Sequence, residues 1–87
     1  EFGTAGEAWE KGQADIGGKV AINPSGGLKS KGHPIGATGA GQVYEIAKQM
    51  RGEVEPERQV EGANTGITDT MGGEGGTICN LILETGW

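Results

Sequence analysis

Apolar positions fall into two contrasting patterns along the chain. Val43, Ile46, Ala47 and Met50 recur at i, i+3, i+4 and i+7, the stripe of one helix face. Gln42, Glu45, Lys48 and Gln49 fall elsewhere on that wheel. Thr38 is a candidate N-cap, with Gly39 and Gly41 in a frayed first turn. Lys48 and Arg51 complement the dipole of the last turn, and Gly52 supplies the C-cap. In contrast, Thr77-Ile78-Cys79-Asn80-Leu81-Ile82-Leu83 is almost continuously apolar and predicts a strand, of the kind buried on both faces.

Weaker patterns fill the rest. Ala5 to Lys11 reads as a short helix stopped by Gly12, with Trp9 as its buried anchor. Val20 to Asn23 reads as a short strand running into a turn, because Pro24 pushes Asn23 toward extended geometry. Ser25 to Gly39 has neither a helical nor a strand period. Glu53 to Arg58 is a charged surface connection, and Val60 to about Thr68 a weak strand rich in Gly and Thr. Gly72-Gly73-Glu74-Gly75-Gly76 is a tight turn with Glu74 exposed on it. Two strands around a Gly turn predict an antiparallel hairpin with the long helix packed on it, an α/β arrangement. No internal repeat or domain boundary interrupts the 87 residues.

Composition changes this picture. The 19 glycines and 3 prolines make the chain unusually rich in backbone punctuation. Leu, Ile, Val and Phe number 15, below the usual floor for an independent core. The chain is therefore expected to fold poorly alone. It opens at Glu1 rather than Met, the expectation for a fragment, a processed product or one part of a larger chain. A net charge of −5 argues against a nucleic-acid surface. No apolar run reaches the length of a membrane span, and no signal peptide opens the chain. The single cysteine, Cys79, excludes an intrachain disulfide and a multi-cysteine zinc site; no metal site is expected. A reduced thiol suits a cytoplasmic location.

Candidate chemistry centres on His33, the one histidine, held between Gly32 and Pro34. An imidazole titrates near neutrality and suits proton transfer; the bland alternative is a structural or solvent histidine in a loop. The loop could also bind phosphate at the helix N-terminus. It matches neither the Walker spacing nor G-x-G-x-x-G. Lys29 and Lys31 could steer an anionic substrate or simply be solvated. Asp69 could be a general base or a turn-former. Cys79, inside the apolar strand, reads as a small buried hydrophobe rather than a nucleophile.

The run Asn23-Pro24-Ser25-Gly26-Gly27-Leu28-Lys29-Ser30-Lys31-Gly32-His33-Pro34-Ile35-Gly36-Ala37-Thr38-Gly39 resembles the Gly-His-Pro signature of the thiolase family. Its wording is most similar to archaeal acetyl-CoA acetyltransferases and sterol-carrier-type thiolases. The order helix, Gly-rich strand, Gly turn and final strand resembles the end of that fold. The resemblance implies the C-terminal fragment of the C-terminal half of a five-layered α-β-α-β-α sandwich, in a protein that forms homo-oligomers.

It also implies a CoA-dependent acyltransferase that makes or cleaves a carbon–carbon bond beside a CoA thioester. Acyl-CoA or acetyl-CoA would be the substrate, with no further cofactor. The nucleophilic cysteine would come from the remainder of the chain or a partner subunit. His33 would activate it and donate to the thioester oxyanion. The loop residues Asn23, Gly26, Gly27 and Gly32 would border the substrate. Asp69 falls where the family carries a second acid/base Cys or His, with Met71 and Gly72 beside it, and the Met71 N–H placed for a second oxyanion hole. A carboxylate, ordinarily ionised at neutral pH, suits that proton poorly unless burial raises its pKa. The competing expectation is a non-catalytic acyl-CoA-binding, lipid-binding or scaffold module derived from a thiolase.

Overall fold

The computed structural model describes residues 1–73 and 75–86. Three helices precede one hairpin: α1 (Ala5–Glu10), α2 (Gly27–Lys31), α3 (Thr38–Arg51), β1 (Thr65–Met71) and β2 (Ile78–Glu84). The strands pair antiparallel, with Ile67 opposite Ile82, Asp69 opposite Asn80 and Met71 opposite Ile78. The expected exposed position of Glu74 lies outside the described residues.

Helix α3 organises the chain. Gly52, at φ 68°, closes it in the left-handed conformation, and its N–H bonds to the Gln49 carbonyl. At the other end Ala37, not Thr38, is the capping position, and no side chain caps it. Thr38 is already the first helical residue, past the capping position, and its hydroxyl turns back to donate to the Pro34 carbonyl at 3.1 Å.

α3 runs along β1 in the opposite direction. Gln42 clamps the two: its Nε2 donates to Asp69 O at 2.9 Å, and its Oε1 accepts from the Thr70 hydroxyl at 2.8 Å. Farther along, Ile46 lies directly on Gly66. A Cβ at Gly66 would fall 2.5 Å from Ile46 Cγ2, an atom tied to a stiff helical χ1. Gly66→Ala is expected to destabilise the protein by about 1–3 kcal/mol. A denaturant midpoint unchanged from wild type would show that this contact relaxes freely.

Several weak patterns resolve differently. β1 begins at Thr65, not Val60. The Val60 N–H is already bound to Gln49 Oε1 at 2.9 Å, and Gly62 turns the chain at φ 67°. Val20 to Asn23 makes no strand. The Val20 and Ile22 N–H groups bond the Gln13 and Ala14 carbonyls, and Asn23 sits at φ 49° rather than extended. The stretch without a period contains the single helical turn α2. Trp9 is 59% exposed, because α1 buries none of its residues.

Gln49 is the buried residue of α3, at 6% exposure, although its polarity placed it off the apolar stripe. Its amide Nε2 donates to Arg58 O at 2.8 Å and Glu45 Oε1 at 3.2 Å. It thus satisfies backbone groups of the connection that follows the helix, as burial of that connection requires.

Arg58 completes the connection. It reaches Glu45 at 2.7 Å and Glu55 at 2.8 Å. The Glu45 hydrogen bond, then Glu55, raises the Arg58 pKa. The Glu55 carboxyl is held below its ordinary value of 4.5, first by its own backbone N–H and then by Arg58. A depressed carboxyl pKa stabilises the fold above the ordinary value, and the contribution is lost as pH falls through the folded pKa. NMR titration is expected to find the Glu55 midpoint below 4.5 and rising in Arg58→Ala; a midpoint at or above 4.5 in the intact protein would contradict the contact.

Surface area shows how little of this segment closes on itself. A compact protein of 8.9 kDa exposes about 4,800 Å², whereas this segment exposes 6652 Å². Among the described residues, Val54 is the one buried hydrophobic side chain. Ile67, Met71, Ile78 and Ile82 share the hairpin face turned away from α3 and are each at least 60% exposed. The expectation that β2 is buried on both faces is therefore not met within this chain. α3 packs chiefly on β1, and Leu81 and Cys79, on the α3 side of β2, stay exposed.

Candidate functional site

The loop from Asn23 to Thr38 is built by turns rather than by packing. The Gly26 N–H bonds Asn23 O at 2.9 Å, with Gly26 at φ 85°. A Cβ there would stand 2.6 Å from Ser30 Cβ, so only glycine fits. The Ser25 hydroxyl accepts the Gly27 N–H at 3.3 Å as α2 begins. Lys29 and Lys31 project from α2 into solvent. Gly32, at φ 83° and ψ 176°, then turns the chain into His33 and Pro34. The Pro34 carbonyl accepts the N–H groups of Ala37 and Thr38 and thereby starts α3.

His33 is exposed at this junction. Its Nδ1 lies 2.7 Å from Thr38 Oγ1, one short contact that fixes the ring plane. The other ring nitrogen, Nε2, has no hydrogen-bond partner among the described residues. The imidazole is thus anchored on one side and open on the other, as a proton acceptor for an incoming group must be.

The second group of candidate residues lies at the end of β1. Asp69 is exposed on the hairpin face away from α3, and its carboxylate accepts from Asn80 Nδ2 at 2.8 Å. Asn80 also donates to Thr68 O at 3.1 Å, which fixes the amide. The Asp69–Asn80 pair is flanked by Ile67–Ile82 and Met71–Ile78, so one polar pair interrupts an apolar face. The Gly72 N–H is committed to Thr77 O at 2.7 Å. Ladder alternation then leaves Met71 at a non-hydrogen-bonded pair, with its N–H toward the open edge of β1.

Helix α3 links the two groups. Its Gly39 packs beside Thr70, where an added Cβ would lie 3.7 Å from Thr70 Cγ2. Among the described residues, no hydrogen bond or ion pair joins His33 to Asp69. Cys79 is exposed on β2, contrary to its reading as a buried hydrophobe. Three residues outside the candidate set do the holding: Thr38, Gln42 and Asn80. Asn80 carries a sequence signal, as the one polar residue inside an apolar strand. Thr38 carries the signal of a helix cap, and none that marks it as a partner of the histidine.

An open hollow of about 780 Å³ lined by Ile16, Val54, Pro56 and Val60 contains none of these residues. Among the described residues, no three His, Cys, Asp or Glu side chains gather as a metal site, and no helix is long and apolar enough to cross a membrane.

A family model described as thiolase C-terminal domain-like matches residues 1–85. The chain belongs to this family. It is 53% identical over 84 residues to an acetyl-CoA acetyltransferase of Methanothermobacter thermautotrophicus, covering 97% of this chain and 22% of the relative. It is 54% identical over 72 residues to an acetyl-CoA acetyltransferase of Methanocaldococcus jannaschii, covering 80% and 18%. It is 46% identical over 79 residues to sterol carrier protein 2 of Bos taurus, covering 91% and 14%. The chain therefore spans less than a quarter of the length of these relatives. No solved structure matches it. The segment is of thiolase type, and its helix-on-hairpin α/β architecture is consistent with one part of that fold.

Proposed function

We propose that this chain is the part of a thiolase-type, CoA-dependent acyltransferase that presents His33 to the reacting thioester. The single observation that carries this reading is an exposed imidazole tethered at Nδ1 alone, inside a matched thiolase C-terminal domain. The printed names of the archaeal relatives support acetyl-CoA as the substrate class. A cysteine outside this chain is the nucleophile. His33 Nε2 takes its thiol proton, the thiolate attacks the thioester carbonyl, and the resulting imidazolium returns the proton to the departing CoA sulfur. The Met71 N–H, pointing to the open edge of β1, is available to a developing oxyanion. Asn23, Gly26, Gly27 and Gly32 shape the loop that borders the acyl group.

The uncovered hairpin face takes the remainder of the thiolase chain as its partner. The excess surface and the relatives' greater length support this occupant. A second reading, acyl-CoA or lipid binding without condensation, draws on Asp69, which stands where the family resemblance implies Cys or His. Sterol carrier protein 2 among the relatives agrees with it. The full-length protein assayed with acetoacetyl-CoA and CoA separates the two. Thioester-dependent carbon–carbon cleavage supports the acyltransferase. Binding of acyl-CoA without turnover or acyl-enzyme supports the binding module.

A further inference from the structure

We infer that Thr38 is a positioning residue that selects the tautomer of His33, holding the proton on Nδ1 and leaving Nε2 as the basic nitrogen. The inference deepens the reading of His33 as a proton acceptor and rests on it for its functional consequence. The Thr38 hydroxyl has two neighbours: His33 Nδ1 at 2.7 Å and the Pro34 carbonyl at 3.1 Å. It carries one proton. The carbonyl can only accept, so a hydroxyl that donates to it must receive its second hydrogen bond from Nδ1–H.

The reverse arrangement would send the hydroxyl proton to Nδ1. A hydroxyl lone pair would then face the Pro34 oxygen, the negative end of a carbonyl already polarised by the N–H groups of Ala37 and Thr38. Charge distribution therefore favours the first arrangement. The geometry is local and needs no other element: Pro34 starts the turn, Thr38 is the first residue of α3, and the histidine precedes the proline. In water the neutral imidazole prefers the proton on Nε2, the wrong nitrogen for a base that approaches from the open side. The neighbour of one ring nitrogen decides which nitrogen carries the proton.

The test uses the full-length protein with ¹⁵N-labelled histidine, at a pH where the ring is neutral. His33 resonances are assigned by their loss in His33→Gln. Wild type is expected to show the Nδ1–H tautomer. Thr38→Val keeps the β-branched shape without the hydroxyl and is expected to shift the population toward Nε2–H. Thr38→Ser is expected to restore Nδ1–H. Acylation by acetyl-CoA is expected to slow roughly 10–100-fold in the Val variant, the range seen when outer partners of metal-bound histidines are removed, and to recover in the Ser variant. An Nε2–H tautomer in wild type, or an unchanged tautomer in Thr38→Val, overturns the inference. If the tautomers behave as expected while no variant, wild type included, is ever acylated, it is the acyltransferase reading that fails and the role of Thr38 that stands.

Discussion

His33→Ala in the full-length protein is expected to slow acyl-enzyme formation by roughly 10²–10⁴-fold, the range for a positioned general base. The loss should fall on the chemical step. The side chain is exposed and makes one contact, to Thr38, so its removal creates no core cavity and leaves the Pro34 turn and α3 in place. The thermal midpoint should therefore stay close to wild type while the rate collapses. Raising the pH is expected to recover part of the rate in the variant, because a larger fraction of the nucleophilic thiol then ionises without a base. A His33→Ala enzyme acylated at the wild-type rate would mean that the histidine is a loop residue with no role in proton transfer.

Ile82→Ala gives the second large effect, and its size depends on what covers the hairpin. Ile82 is 69% exposed and pairs with Ile67 on the face turned away from α3. If water bathed that face in the whole protein, the substitution would cost no more than about 0.5 kcal/mol. Covered by the remainder of the chain, Ile82 becomes a core residue, and its truncation is expected to cost about 2–5 kcal/mol. Chemical denaturation of the full-length protein distinguishes the two values. The same face carries Asp69 and Asn80, so covering it would enclose a polar pair that already satisfies part of its own hydrogen bonding.

Legibility in the sequence followed the strength of local signals. The stripe Val43, Ile46, Ala47 and Met50 and the Gly52 stop marked α3, because a long periodic helix with a left-handed glycine cap is set by its own residues. The apolar run marked β2, and the glycines between the strands marked the hairpin. Burial was harder to read. Gln49 is buried because its amide serves the backbone of residues 58 to 60, a contact that arises only once the chain folds back. Cys79 and Trp9 look like core residues by type, yet this segment brings nothing to cover them. The start of β1 was displaced by the Gln49–Val60 bond and the turn at Gly62, neither of which has a period.

The candidate site divides along the same line. The Gly-His-Pro loop was legible as a motif because its backbone demands particular residues, as at Gly26. The partners that hold its side chains were not. Thr38 looks like a helix cap, and its bonds to Pro34 and His33 emerge only when the turn closes. Gln42 looks like a solvent-facing helix residue, and its reach to Asp69 and Thr70 depends on α3 lying along β1.

The most direct test of the central claim is peptide mass spectrometry of the full-length protein after brief exposure to acetyl-CoA, with and without His33→Ala. One acetylated cysteine outside this segment is expected, with CoA released in equal amount, and almost no adduct over the same time in the variant. No adduct in wild type, or one on Cys79, would contradict it.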